Sequence, residues 1–162
     1  MQDDMDDVIL KGQAIDYLVN NLTTKIEKLS LSCAAITDEQ VKILVSRCNK
    51  LSVLDLSHPG GSCETRRLLT DNSMNHIIEH LKPTLEELNV EGCESLSYGK
   101  LAQLRSMPHL KKLKIEVRDH DEDFQRLKRE LPQVEFKDFD NGNCEFRQWK
   151  DDSKRFWELN ME

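Results

Sequence analysis

The sequence predicts an α/β solenoid, with a curved parallel sheet on one side and helices on the other. Three observations carry that expectation. A leucine-type pattern, L-x-x-L-x-L, recurs five times along the chain. Each of its first four occurrences is followed by apolar residues at helical spacing, and no stretch has the composition of a linker.

The pattern falls on Ile26, Leu29 and Leu31; on Leu51, Leu54 and Leu56; on Leu85, Leu88 and Val90; on Leu110, Leu113 and Ile115; and on Leu131, Val134 and Phe136. Its starts are separated by 25, 34, 25 and 21 residues, the regular spacing of a leucine-rich-repeat solenoid with one long unit. Five short strands are expected, each directing alternate residues inward. Between them, Val41, Leu44 and Val45, then Met74, Ile77, Ile78 and Leu81, then Leu101 and Leu104, and finally Phe124, Leu127 and Leu131 have the spacing of helices covering the same core. Upstream, Ile15, Leu18, Val19 and Leu22 read as the helix of a half unit that opens the stack. Thr37-Asp38 and Thr70-Asp71 mark helix starts, because a short polar side chain accepts orphan backbone N–H bonds there. Pro108 and Pro132 stop helices just before the next strand. The expected divisions are a capping half unit over 1–23, repeats over 24–137 and a tail or cap over 138–162.

Composition narrows the function. A chain of 162 residues buries one continuous core, and 33% charged against 38% hydrophobic residues suits a folded protein with a heavily solvated outer face. The net charge of -7 argues against nucleic acid as a partner, because phosphate contacts need a basic surface. No apolar run has the length of a membrane span, and the acidic start is unlike a targeting presequence, so a cytoplasmic or nuclear protein is expected. Five cysteines without a C-x-x-C pair encode neither a disulfide framework nor a zinc ribbon. Cys33 and Cys93, placed just after strands, and Cys48, at a helix end, are expected to be packed thiols.

Ile36 to Leu56, reading ITDEQVKILVSRCNKLSVLDL, resembles the cysteine-containing repeat of the F-box leucine-rich-repeat proteins, with Asn49 in place of that family's proline. Leu85 to Leu96, LEELNVEGCESL, is similar to its strand-then-cysteine consensus. The resemblance extends over about residues 20 to 137. It implies the substrate-recruiting part of a cullin-RING ubiquitin ligase, whose partner on the sheet and tail is a ligase substrate or an accessory subunit, with a tail after the last repeat that folds back along the concave sheet; 138–162 is the comparable segment. The F-box itself, with its Leu-Pro opening, is not found ahead of Ile26. A free-standing scaffold or assembly factor of the same fold is therefore the alternative.

The residues between the inward leucines face the concave surface, since side chains alternate across a sheet. They are Lys28, Ser30 and Ser32, then Val53, Asp55 and Ser57, then Glu87, Asn89 and Glu91, then Lys112, Lys114 and Glu116, then Gln133, Glu135 and Lys137. The middle of that face is acidic and the fourth strand basic, which favours a protein partner carrying paired charges. Asp55, Glu87, Asn89, Glu91, Lys112, Lys114 and Glu116 are the expected partner-binding residues. Trp149 and Trp157 in the tail join them, because a tail this charged must pack its aromatics on something else. The long unit, from Ser57 to Asp71, is turn-prone at Pro59-Gly60-Gly61 and offers either a contact loop or a surface excursion.

Enzyme chemistry is not expected. His76, Glu79 and His80 fit the H-x-x-E-H pattern of a zinc peptidase, which makes a zinc metalloenzyme the remote alternative, but Ile77, Ile78 and Leu81 belong to the core, which leaves the histidines on an outer flank without a cavity or an obvious third ligand. Asp119, Asp121, Asp123 and Glu130 imitate a calcium loop, yet Phe124 stands where such a loop requires glycine. No glycine-rich phosphate loop or nucleophile elbow is present, and neither a cofactor nor a resident metal is expected.

Overall fold

The structure is a computed structural model that describes residues 12–60, 67–116 and 122–137. Helix α1 (Gln13–Asn21) leads into strand β1 (Lys28–Ser30), and the chain then alternates through α2 (Asp38–Arg47), β2 (Val53–Asp55), α3 (Asp71–Leu81), β3 (Glu87–Asn89), α4 (Tyr98–Leu101) with a 3-10 turn (Ala102–Ser106), β4 (Lys112–Lys114), α5 (Glu122–Glu130) and β5 (Glu135–Lys137). The protein is thus α/β, with one five-stranded parallel sheet in the order β1-β2-β3-β4-β5. Every strand pairs with the next one in the chain, and right-handed crossovers between such strands place the connecting helices on one face. Helix and strand residues bury one common cluster, from Ile15 and Val19 at one end to Phe124, Leu127 and Leu131 at the other.

Register explains why the strands stack. Leu29, Leu54, Leu88, Leu113 and Phe136 lie side by side in one row, with the four leucines almost wholly buried. Each such leucine adds roughly 2 kcal/mol when covered, and only the neighbouring strand and helix cover it. The fifth occurrence of the leucine pattern sits two places from where the sequence puts it. Phe136 pairs with Leu113 and not with Ile115, so Glu135, rather than Gln133, lies opposite Lys112. A two-residue slip preserves the alternation of faces, so the inward and outward sets are unchanged.

Hydrogen bonds continue past the first three strands, from Cys33 N–H to Ser57 O and from His58 N–H to Glu91 O. Cys33, His58 and Gly92, each three residues beyond its strand, all have positive φ, at 65°, 49° and 75°. The expectation of a packed Cys33 is thereby corrected. Cys33 occupies this left-handed position and is exposed, while Ala34 takes the buried place that Pro59 and Cys93 fill in the next two segments. Cys48 and Cys93 are buried as expected.

The helices are tied by a chain of side-chain bonds at their starts. Thr37 caps α2 in a reciprocal box with Gln40, Thr70 caps α3 through Asn72 N–H, and Ser97 caps α4 through Lys100 N–H. Gln40 donates to Asp16 of α1 at 2.7 Å. Asp38 then accepts from Thr70, and Asp71 accepts the N–H and hydroxyl of Ser97 at 2.9 and 2.7 Å. Each helix start thus holds the next. The fourth helical segment, which the spacing of Leu101 and Leu104 predicts as a helix, is one α-turn followed by a 3-10 turn. Gly99 in its first turn lowers helix propensity, and Pro108 follows its last residues.

Candidate functional site

The outward residues of the sheet form three aligned rows. Lys28, Val53, Glu87, Lys112 and Glu135 make the first row, and Ser30, Asp55, Asn89 and Lys114 the second. Just beyond the strands, Ser32, Ser57, Glu91 and Glu116 continue the pattern. Neighbouring strands lie about 4.8 Å apart, so polar groups in a row are within reach of each other.

The two ends of this face differ in chemistry. Toward β1 it is a closed hydroxyl and carboxylate network. Ser30 donates to Asp55 Oδ2 at 2.9 Å, Ser57 N–H donates to Asp55 Oδ1 at 3.0 Å, and Ser57 Oγ donates to Ser32 Oγ at 3.0 Å. Asn89 repeats the motif, with Oδ1 accepting from Glu91 N–H at 3.1 Å. Asp55, Ser57, Asn89 and Glu91 are consequently buried, and among the described residues no buried side-chain nitrogen or oxygen lacks a partner. Sequence alone presents Asp55, Asn89 and Glu91 as open contact residues, whereas here they build the floor of the face.

Glu91 is the member of that floor whose ionisation burial opposes. Burial pushes its carboxyl pKa upward; His58, whose Nε2 lies 3.7 Å away, and Lys114 oppose the rise, while Glu116 and Asp55 add to it. Glu87 accepts a bond from Lys112 Nζ at 3.0 Å, an ion pair with both side chains partly open to solvent. Lys112 of the basic strand foreseen from the sequence is thus paired with a carboxylate of the neighbouring strand. Glu87, Lys112 and Lys114 are half-buried and Glu116 is exposed, and these four form the accessible part of the predicted site. Trp149 and Trp157 lie outside the described residues.

A cavity of about 300 Å³ opens at the C-terminal ends of β3 and β4, between Val90, Cys93, Leu96, Tyr98, Ile115 and Glu116. Ligands of open parallel sheets commonly bind at such strand ends. The sequence offers no direct sign of it, because its lining joins the end of β3, the α4 segment and the end of β4, which are separated along the chain. Cys93 lines the cavity, and burial, with Asp55 adding to it, pushes its thiol pKa up to about 12, which disfavours the reactive thiolate.

On α3 the structure brings the donor atoms of His76, Glu79 and His80 within 4.8 Å of one another, with the imidazoles half-buried and the carboxylate exposed. Of the calcium-like set, Asp123 and Glu130 sit at opposite ends of α5, and Glu130 accepts from Arg126 at 2.9 Å; Asp119 and Asp121 lie outside the described residues. No helix among the described residues is long and apolar enough to cross a membrane. Scans of protein-family models and of curated proteins find no match to this chain.

Proposed function

We propose that the chain is a leucine-rich-repeat solenoid that binds a partner protein on the polar face of its sheet, as the substrate-recruiting part of an F-box type ubiquitin ligase. The observation that carries the binding role is the row alignment. Four leucines stack inward in register, while Glu87, Lys112, Lys114 and Glu116 are gathered on the outward side of two adjacent strands. Curved solenoids characteristically bind on that side. Alternating carboxylate and ammonium groups recognise a partner segment carrying the complementary alternation, and they steer its approach. The ligase assignment rests on the resemblance of residues 36–56 and 85–96 to the F-box leucine-rich-repeat unit.

The test uses the full chain expressed in cells as bait. Recovery of a cullin-ligase adaptor together with a ubiquitylated client supports the assignment. A partner captured by the wild type, lost with Lys112→Glu/Lys114→Glu, and free of both ligase components identifies a scaffold working on the same face. Unchanged partner affinity of the double variant at low salt, where charge reversal acts most strongly, rejects this face as the binding surface.

A further inference from the structure

His76, Glu79 and His80 serve neither the core nor the proposed binding face. We propose that they form a site for a divalent ion of the Zn²⁺ class on the outer flank of α3, a binding site with no catalytic step. Residues three and four apart share one helix face, so the two imidazoles and the carboxylate converge by helical geometry alone. Met74, Ile77 and Leu81 of the same helix are fully buried, which fixes the backbone that carries the three donors.

The donor atoms lie within 4.8 Å of one another, and Glu79 Oε2 is 4.0 Å from His80 Nε2. A tetrahedral ion with bonds near 2.1 Å needs its donors about 3.4 Å apart. Closing that gap requires the three side chains to rotate toward a common point. Both imidazoles are half-buried, so they have fewer rotamers to surrender on binding than a freely exposed pair. Among the described residues the His76 imidazole has no hydrogen-bonding partner that an ion would need to displace. Two nitrogens and one oxygen favour a borderline ion such as Zn²⁺ over Ca²⁺ or Mg²⁺, which prefer all-oxygen shells. Three ligands from one helix leave a fourth position for water or for a donor from a second molecule. This departs from the sequence expectation of no metal, because a binding site needs neither the catalytic cavity nor the general base that a zinc peptidase requires.

Calorimetric titration of the full chain with Zn²⁺ under reducing conditions tests the site. The wild type is expected to take up one equivalent that His76→Ala/His80→Ala loses, with circular dichroism confirming that the variant is folded, and Glu79→Gln is expected to bind more weakly. Paramagnetic Ni²⁺ added to the wild type provides a test independent of substitution: amide signals of α3 around residues 76–80 should broaden first. Equal Zn²⁺ uptake by wild type and double variant, no uptake at all, or broadening centred away from α3 overturns the proposal.

Discussion

The carboxylate of Asp38 receives both the backbone N–H and the hydroxyl of Thr70, at 2.8 and 2.6 Å, and so joins the first turn of α2 to the cap of α3. Ser73 adds a third donor at 2.7 Å. Burial by itself raises the pKa of this carboxyl, but the bonds from Thr70 and Ser73 together outweigh it and hold the group below its ordinary value. Asp38→Ala strands the two Thr70 donors, while the Ser73 hydroxyl retains Thr70 O as an acceptor at 2.8 Å; the expected loss is about 2–3 kcal/mol, read as a lowered urea midpoint with an unchanged slope.

The pH dependence of that contribution has a definite sign. A carboxylate whose folded pKa is depressed contributes stability that is full above its unfolded value, near 3.9, and is lost as pH falls through the folded value. The gap in stability between wild type and Asp38→Asn should therefore be constant from pH 7 to about 5 and shrink below about 4. Urea unfolding of both proteins across that range measures it. A gap that widens on acidification contradicts the role assigned to Asp38.

Glu91 carries the opposite sign. Its pKa is raised chiefly by burial, so the folded state pays a desolvation penalty that is full above the folded value and disappears as pH falls through it toward the unfolded one. Glu91→Gln is expected to be at least as stable as wild type at pH 7, with any advantage fading in acid. The 3.7 Å approach of His58 compensates only in part. A clear loss of stability in the Gln variant at pH 7 would show that the His58 pair, not desolvation, dominates.

At the turn beyond the strands, a Cβ built on Gly92 meets His58 Nδ1 at 2.8 Å and His58 Cα at 3.3 Å, on a backbone with φ +75°. Gly92→Ala should cost about 1–3 kcal/mol. His58→Ala in the same chain should return only part of that loss, because the left-handed backbone remains. At the equivalent position Cys33 already bears the left-handed cost at φ 65°, so Cys33→Gly is expected to be neutral or mildly stabilising. Thermal unfolding of the three variants ranks them.

Much of this was legible in the leucines, and the remainder depended on partners distant in sequence. Leu29, Leu54, Leu88 and Leu113 announce the stack because burial selects their side chains directly. The caps at Thr37 and Thr70 were also readable, being local. Asp55 and Asn89 looked like open contact residues because their burial depends on the adjoining segments and on turns that no local pattern reports. The one-place error at Cys33 has a different origin. A cysteine after a strand suggested a buried thiol, but backbone conformation put the exposed left-handed residue there and shifted the buried place to Ala34. The fifth strand was misaligned because Phe136, with Val134 and Leu131 before it, fits the leucine pattern in a register that the sheet does not use.

That shift separates the three cysteines among the described residues chemically. Cys33 is exposed. Burial raises the pKa of the Cys48 thiol, against a smaller opposing effect of Arg47, and raises that of Cys93 to about 12. Alkylation proceeds through the thiolate and needs access to the sulfur, and Cys48 and Cys93 are limited on both counts. Brief treatment of the native protein with iodoacetamide at pH 8, followed by peptide mass spectrometry, should modify Cys33 while leaving Cys48 and Cys93 largely intact. The same treatment in urea should modify all three. Native labelling of Cys93 at the rate of Cys33 would mean that the strand end beside the cavity opens readily, and the tight packing around Leu56 O, which accepts from Cys93 Sγ at 3.5 Å, would have to be abandoned.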